Sequence, residues 1–184
     1  NCTIESLAFI VSLNLSMLKR HYLIKTGAKS MTELNIGDIA PDFTLPTDND
    51  GKLTLSEFKG QKVVLYFYPK DNTPGCTTQG CDFSAAHPEF ERLNTQIIGI
   101  SKCSTKKHTN FKAKYDFKFP LASDENSDTC ERYGVWKEKA MYGKKYMGIE
   151  RTTFLIDEEG KVQNIWRKVK VKGHVDEVKN NITQ

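Results

Sequence analysis

Two long apolar runs stand out in the pattern of hydrophobic and polar positions along the chain. KVVLYFY at 62–68 and QIIGIS at 96–101 are rich in β-branched and aromatic residues. Such runs predict strands that are buried on both faces of a sheet. Further along, TTFLID at 152–157 and KVQNIWR at 161–167 flank the turn residues EEG. That arrangement indicates an antiparallel hairpin.

Helical patterns occupy the segments between and after these strands. A helix is predicted from about residue 74, with a break or kink near Pro88, because proline cannot donate the hydrogen bond that a helix interior needs. Further helices are predicted at 105–116, 126–135 and 174–182. Strands that alternate with helices and end in a hairpin predict an α/β protein. The expected architecture is a thioredoxin-like fold, with a central mixed β-sheet flanked by helices.

The first thirty residues differ from the rest in charge. The chain of 184 residues carries a net charge of +4, of which residues 1–30 contribute +3 through four cations and the single acid Glu5. The remainder is nearly neutral, so nucleic acid is not an expected partner. The apolar run at 7–18 is too short to cross a bilayer, and its positive charges follow it, unlike those of a signal peptide.

We therefore expect residues 1–30 to be a presequence remnant or an upstream read-through, poorly ordered, with Met31 resembling an ordinary start. Residues 31–184 are expected to form one domain. The expected location is the cytoplasm, or an organelle if residues 1–30 are a genuine targeting segment.

The cysteine content excludes several classes of protein. Five cysteines at irregular spacing, without a CxxC pair, do not match a secreted disulfide framework, and they fit a reducing compartment. The four histidines are scattered, so a structural zinc site is not expected. YPKDNTPGCTTQGC at 68–81 holds two cysteines five residues apart. This pair could be a metal clip, a structural staple or a reactive pair.

Cys76 follows the switch from a strand to a helix. Pro74 suits a first helical turn, so Cys76 would lie near a helix N-terminus, where the partial positive charge favours a thiolate. The alternative is a buried cysteine that acts as a small hydrophobic residue. Thr73 could place a hydroxyl near the thiolate or simply cap the helix. Pro69 could shield a pocket from water or be an ordinary turn proline.

Helix geometry separates Cys76 from Cys81. Five residues of one helix give about 7.5 Å of rise and about 140° of rotation, so the Cα atoms lie about 8.6 Å apart. A disulfide needs less than about 7 Å, so the bond requires the helix to unwind. Gly80 weakens the helix at this point. Such a pair suits a small oxidant such as a peroxide, which converts a thiolate to sulfenic acid before a second thiol forms the disulfide.

The pattern P-x-x-x-T-x-x-C at 69–76, with Cys81 five residues further on, resembles the peroxiredoxins. The subgroup it resembles is the bacterioferritin comigratory protein or peroxiredoxin Q type. SDENSDTCERYGVW and GIERTTFLIDEEGKV are part of the same likeness, which extends over about residues 34–180. Among the peripheral matches, Gln79 fits the subgroup pattern without an assigned chemical role.

The resemblance implies a peroxidase that reduces hydrogen peroxide and alkyl hydroperoxides and serves antioxidant defence. It casts Cys76 as the peroxidatic cysteine and Cys81 as the resolving one, with Thr73 and Pro69 in the active-site loop. It moves Arg151 from the protein surface, where an arginine is ordinarily found, into the pocket, where its charge favours a thiolate.

An atypical two-cysteine cycle follows, with an intramolecular disulfide that thioredoxin or a similar dithiol reduces. The resemblance implies no metal or organic cofactor, no membrane partner and a monomer.

Three other hypotheses remain open on the residues alone. A thioredoxin-type oxidoreductase would want the CxxC motif that the chain lacks. A redox sensor would use the same two cysteines but would react once instead of cycling. A cysteine hydrolase would need a histidine base, for which only His87 is near in sequence. Cys103 is expected to be a bystander thiol, and Cys130 to face the core of a short helix.

Overall fold

The computed structural model describes residues 33–183, so the predictions for the first thirty residues lie outside its range. The strands are β1 (Thr44–Pro46), β2 (Lys52–Thr54), β3 (Lys62–Phe67), β4 (Thr95–Ser101), β5 (Leu121–Ser123), β6 (Trp136–Met141), β7 (Lys144–Ile149), β8 (Thr152–Ile156) and β9 (Val162–Trp166). The α-helices are α1 (Pro74–Arg92), α2 (Thr105–Tyr115), α3 (Thr129–Arg132) and α4 (His174–Ile182). Short 3₁₀ helices occupy Asp48–Asp50 and Leu55–Phe58.

A mixed sheet of five strands forms the centre, in the order β5–β4–β3–β8–β9. Strands β3, β4 and β5 are parallel, whereas β8 is antiparallel to β3 and β9 is antiparallel to β8. This confirms the predicted thioredoxin-like architecture. Because β8 runs antiparallel to β3, the segment after β3 and the residue before β8 lie side by side at the same end of the sheet.

The alternation of side chains along β3 divides the core into two clusters. Val63, Leu65 and Phe67 face one side, where they pack with Phe43 and Tyr133. The intervening residues face the other side, where they pack against residues of α1, α2 and α4; this second cluster includes Val64, Tyr66, Tyr68, Phe83, Phe111 and Val178. Burial of β3 on both faces is the reason for its uninterrupted apolar run.

Most of the predicted elements are confirmed, with several differences. Helix α1 runs continuously from Pro74 to Arg92 with Pro88 inside it, so the predicted break near Pro88 is absent. The helix predicted at 126–135 is reduced to the four residues of α3. The hairpin of β6 and β7, which pair with each other and not with the central sheet, was missed. Its turn at Tyr142 and Gly143 has positive φ angles of 50° and 76°, which is the geometry of a tight hairpin turn.

Within residues 33–183 there is no helix that is both long and apolar enough to span a membrane.

Candidate active site

Cys76 lies in the first turn of α1, directly beyond the carboxyl end of β3. Thr73 is extended at the N-cap position, with φ −91° and ψ 150°. Its carbonyl accepts the first helical hydrogen bond, from the Thr77 backbone N–H at 2.9 Å. Pro74 begins the helix because a proline needs no hydrogen-bond acceptor there. The Cys76 side chain is 2% exposed, and it lies among N–H groups that no helical carbonyl uses.

Arg151 is brought to this thiol by the register of the sheet. Phe67, the last residue of β3, pairs with Thr152, the first residue of β8, so the residue before β8 lies beside the first turn of α1. The Arg151 Nη2 donates to the Cys76 Sγ at 3.4 Å. A guanidinium stays charged at all relevant pH values, so it places a fixed positive charge beside the Cys76 sulfur.

Gln79, which sequence reasoning left without a chemical role, holds the other arm of the guanidinium. Arg151 Nη1 donates to the Gln79 Oε1 at 2.6 Å. The glutamine is completely buried, and its Nε2 has no hydrogen-bond partner among the described residues. Its spacing of three from Cys76 was the available signal, since residues i and i+3 share one face of a helix.

Gly75 leaves room for the guanidinium. A Cβ atom at this position would lie 3.2 Å from Arg151 Nη2, which is tighter than an ordinary van der Waals contact. A side chain here would therefore press on the arginine that contacts Cys76.

Lys139, on the β6–β7 hairpin, brings a second cation close to the site. Its Nζ donates to the carbonyl of Ile149, two residues before Arg151. Burial, and after it the charge of Arg151, lower the pKa of Lys139, whereas Glu150 and Cys76 act in the opposite direction. No feature of the sequence pointed to this lysine.

Cys81 lies in the same continuous helix as Cys76, and both thiols are free. Burial, and after it the Asp82 carboxylate, raise the pKa of the Cys81 thiol. The thiol therefore tends to stay protonated while the helix is intact. Gly80 has a packing role beyond the weakening of the helix: a Cβ there would lie 2.5 Å from the Phe117 ring.

Thr73 and Pro69 lie in the loop that leads to Cys76. The Thr73 hydroxyl donates to the Lys70 carbonyl at 2.9 Å. The hydrogen-bond partner of this hydroxyl therefore lies within the loop, and the Thr73 side chain does not cap α1. Pro69 is exposed. Their roles in the reaction stay predictions.

The other two described cysteines lie outside this constellation. Cys103 is nearly buried at the end of β4, where its Sγ accepts the Asp71 backbone N–H at 3.5 Å. Cys130 is completely buried in α3. Burial, and after it the charge of Asp124, raise the pKa of Cys130. Among residues 33–183, no cluster of histidine, cysteine and acidic side chains is suited to a metal ion.

His87, the one histidine near Cys76 in sequence, is poorly placed to act as the base of a cysteine hydrolase. His87 occupies the same helix, eleven residues further on, which corresponds to about 16 Å of rise. Its Nδ1 pairs with Glu91 at 3.6 Å. The geometry therefore gives no support to that alternative.

A thioredoxin-like sheet with a buried thiol held by an arginine defines a class of cysteine-dependent redox enzymes. Comparisons with known proteins narrow this class. The model of the AhpC/TSA family matches residues 36–165. The chain is 53% identical to a putative peroxiredoxin bcp of Coxiella burnetii over 145 residues, covering 79% of this chain and 96% of the relative. It is 51% identical to peroxiredoxin Bcp of Bacillus subtilis over 144 residues, covering 78% and 92%.

Solved structures give the same result. A mutant of PrxQ from Xylella fastidiosa superposes with a TM-score of 0.79 at 43% identity, covering 83% of this chain and 97% of that chain. The bacterioferritin comigratory protein of Xanthomonas campestris, studied for its alkyl peroxide reduction activity, superposes with a TM-score of 0.76 at 47% identity, covering 82% and 96%. The chain belongs to the AhpC/TSA family and, within it, to the peroxiredoxins of the Bcp or peroxiredoxin Q type. It is a thiol-dependent peroxidase, an oxidoreductase.

Proposed function

We propose that Cys76 is the peroxidatic cysteine and Cys81 the resolving cysteine of this peroxidase, which reduces hydrogen peroxide and alkyl hydroperoxides. The observation that carries the proposal is the hydrogen bond from Arg151 Nη2 to the Cys76 Sγ at 3.4 Å. Of the four described cysteines, Cys76 is the one whose thiol accepts a hydrogen bond from an arginine.

In the first step, the Cys76 thiolate attacks one oxygen of the peroxide. A sulfur–oxygen bond forms as the oxygen–oxygen bond breaks, so Cys76 becomes sulfenic acid, and the leaving alkoxide or hydroxide takes up a proton to give an alcohol or water. Arg151 and the free N–H groups of the first turn of α1 stabilise the negative charge that moves onto the leaving oxygen. Gln79 keeps the guanidinium directed at this turn.

In the second step, Cys81 attacks the Cys76 sulfenic acid, a disulfide forms and water leaves. The two cysteines share an intact helix, in which their Cα atoms would be about 8.6 Å apart, so the helix must open between them. In the intact helix, burial and after it the charge of Asp82 raise the pKa of the Cys81 thiol, which disfavours its thiolate. Opening of the helix removes that burial.

A dithiol reductant such as thioredoxin then attacks the disulfide, takes the two oxidising equivalents and returns both thiols. The cycle needs no second subunit, which supports a monomer. It also requires a compartment in which thiols are kept reduced, which supports the cytoplasm.

The test is the addition of one equivalent of hydrogen peroxide, followed by mass mapping of the cysteines. We expect a linked Cys76–Cys81 peptide in the wild type. In Cys81→Ser, Cys76 should still be oxidised, and its sulfenic acid should be captured by dimedone. Cys103→Ser is the matched control and should give the wild-type linkage. A disulfide that joins Cys76 to Cys103 would overturn the assignment of the resolving cysteine.

Turnover separates an enzymatic cycle from a one-time sensor. With excess thioredoxin, thioredoxin reductase and NADPH, the wild type should consume many equivalents of peroxide. Cys81→Ser should consume about one. Consumption of a single equivalent by the wild type would contradict a thioredoxin-dependent cycle and would favour the one-time sensor.

A further inference from the structure

The loop between β3 and α1 is anchored by a buried polar group that the peroxidase steps above do not use. Tyr68 opens the loop, and its backbone N–H donates to the Ile100 carbonyl at 3.1 Å. Asp71 lies in the middle of the loop, and its backbone N–H donates a hydrogen bond to the Cys103 Sγ. Asn72 follows with a positive φ of 57°, which is uncommon for a residue other than glycine. The chain thus makes a tight bend directly before Thr73.

The side chain of Asp71 connects this bend to helix α2. The Tyr68 hydroxyl donates to Asp71 Oδ1 at 2.8 Å. His108 Nδ1, from α2, lies 2.8 Å from Asp71 Oδ2 and 3.3 Å from the Tyr68 hydroxyl. All three side chains are buried. Neither cysteine of the reaction belongs to this group, and neither does Arg151.

A buried carboxylate on a short loop is costly unless it is well paired. Asp71 has both carboxylate oxygens paired, one by Tyr68 and the other by His108. His108 makes this contact although its Nε2 has no partner among the described residues. An apolar side chain on α2 would avoid that unpaired nitrogen, so packing alone does not account for a histidine here.

We propose that Asp71 and His108 are positioning residues for the peroxidase reaction. They hold the loop on α2 and β4, so that Thr73, the N-cap residue of α1, keeps its place before Cys76. Because the anchors lie outside α1, the loop keeps its place when the first turns of α1 open and reclose during the cycle. This inference rests on the proposed role of Cys76.

The test compares two reactions of the same thiol in the reduced protein. Reaction with hydrogen peroxide needs the groups around Cys76 in their places, whereas alkylation by iodoacetamide mainly needs the thiolate. In His108→Leu, we expect the rate constant for peroxide to fall about 10- to 100-fold, since a displacement of about 1 Å at a reacting centre has effects of this size. The alkylation rate should stay within about threefold of the wild type.

His108→Asn is the conservative variant, because its side-chain N–H can replace the donor at the Nδ1 position. It should recover most of the peroxide rate. His87→Asn, at a histidine that pairs with Glu91 on the same helix, is the matched control and should equal the wild type. If His108→Leu does not fold, the isosteric Asp71→Asn provides the same comparison of the two rates.

Two results would overturn the inference: an unchanged peroxide rate in His108→Leu and Asp71→Asn, or an equal fall in both reactions. Either would show that the buried group serves the fold alone. Failure of the proposed function looks different, because peroxide would then fail to oxidise Cys76 in the wild type itself.

Discussion

Cys76 and Cys130 occupy similar local positions but meet opposite charges. Both are buried, and both lie in the first turn of a helix that follows a strand and a polar loop. Cys76 accepts a hydrogen bond from Arg151. Cys130 lies against Asp124, whose carboxylate accepts the backbone N–H of Cys130 at 2.8 Å.

The difference shows what a helix N-terminus can and cannot do for a cysteine. At α3, the carboxylate of Asp124 already takes the free N–H groups, since it also accepts from Thr129 at 3.0 Å. The negative charge that completes this helix adds to the effect of burial and raises the pKa of Cys130. At α1, the neighbouring charge is positive. The charged side chain beside the turn, more than the turn itself, therefore distinguishes Cys76, the proposed peroxidatic cysteine, from Cys130.

The largest expected effect on the rate of peroxide reduction comes from the loss of Cys76. Cys76→Ala should lower the rate of peroxide reduction by at least about 10⁴-fold, as the loss of a nucleophile does in other enzymes. Cys130→Ala should leave the rate within about twofold, because Cys130 is completely buried and has no role in the proposed cycle. Peroxide consumption with a thioredoxin system measures both. A large loss of activity in folded Cys130→Ala would contradict the expected difference between Cys76 and Cys130.

The next effect comes from the cation. Arg151→Met should slow the oxidation of Cys76 by hydrogen peroxide about 10²- to 10³-fold, the usual size for loss of one donor to a developing negative charge. Quenched-flow mass spectrometry follows the sulfenic acid directly. Arg132→Met is the matched control, since Arg132 lies in the helix of Cys130 and pairs with Asp128 at 2.8 Å. Equal rates in the two variants would contradict the assigned importance of Arg151.

A smaller effect is expected from Asp124→Asn. An amide oxygen cannot accept as strongly from two backbone N–H groups as a carboxylate, so the free energy of unfolding at pH 7 should fall by about 2 kcal/mol. The pKa of Cys130 should fall as well, yet stay above its ordinary value, because burial is the larger cause. Urea unfolding and alkylation of Cys130 at high pH are the measurements. An unchanged alkylation profile would show that burial alone protects this thiol.

The same variant changes the dependence of stability on pH. Burial raises the pKa of Asp124, but the hydrogen bonds from Cys130 and Thr129 and the charge of Lys102 outweigh it, so the pKa lies below the usual 3.8. This carboxylate therefore stabilises the fold above about pH 3.8, and its contribution disappears as the pH falls through the lowered value. The free energy of unfolding should be measured from pH 6 to pH 2. It should fall less steeply with decreasing pH in Asp124→Asn than in the wild type.

The sequence predicts those elements of the fold whose residue pattern has a single physical cause. Burial of β3 and β4 on both faces produces their apolar runs, and the EEG turn marks the β8–β9 hairpin. The hairpin of β6 and β7 escaped prediction because its outer face is exposed and its turn residues, Tyr142 and Gly143, are a weak signal.

For the site, prediction from the sequence fails at contacts between residues that are far apart in the chain. Cys76 was predictable because its surroundings are local: a proline, a helix start and polar neighbours. Arg151 could be placed only through the resemblance, since its contact with Cys76 depends on the pairing of β8 with β3. The contact of Asp71 with His108 spans 37 residues. Neither the sequence of the loop nor that of α2 contains a pattern that predicts this contact.

Gly80, which lies between Cys76 and Cys81, links the redox state of these cysteines to the circular dichroism of nearby aromatic rings. Gly80 leaves room for the ring of Phe117, and Phe117 stacks on Phe119 and Tyr115 with ring centroids 5.6 Å and 5.9 Å apart. A disulfide between Cys76 and Cys81 would move the backbone that these rings rest on. The redox state should therefore change the asymmetric environment of the aromatic stack. Near-ultraviolet circular dichroism could then follow the catalytic cycle without any label.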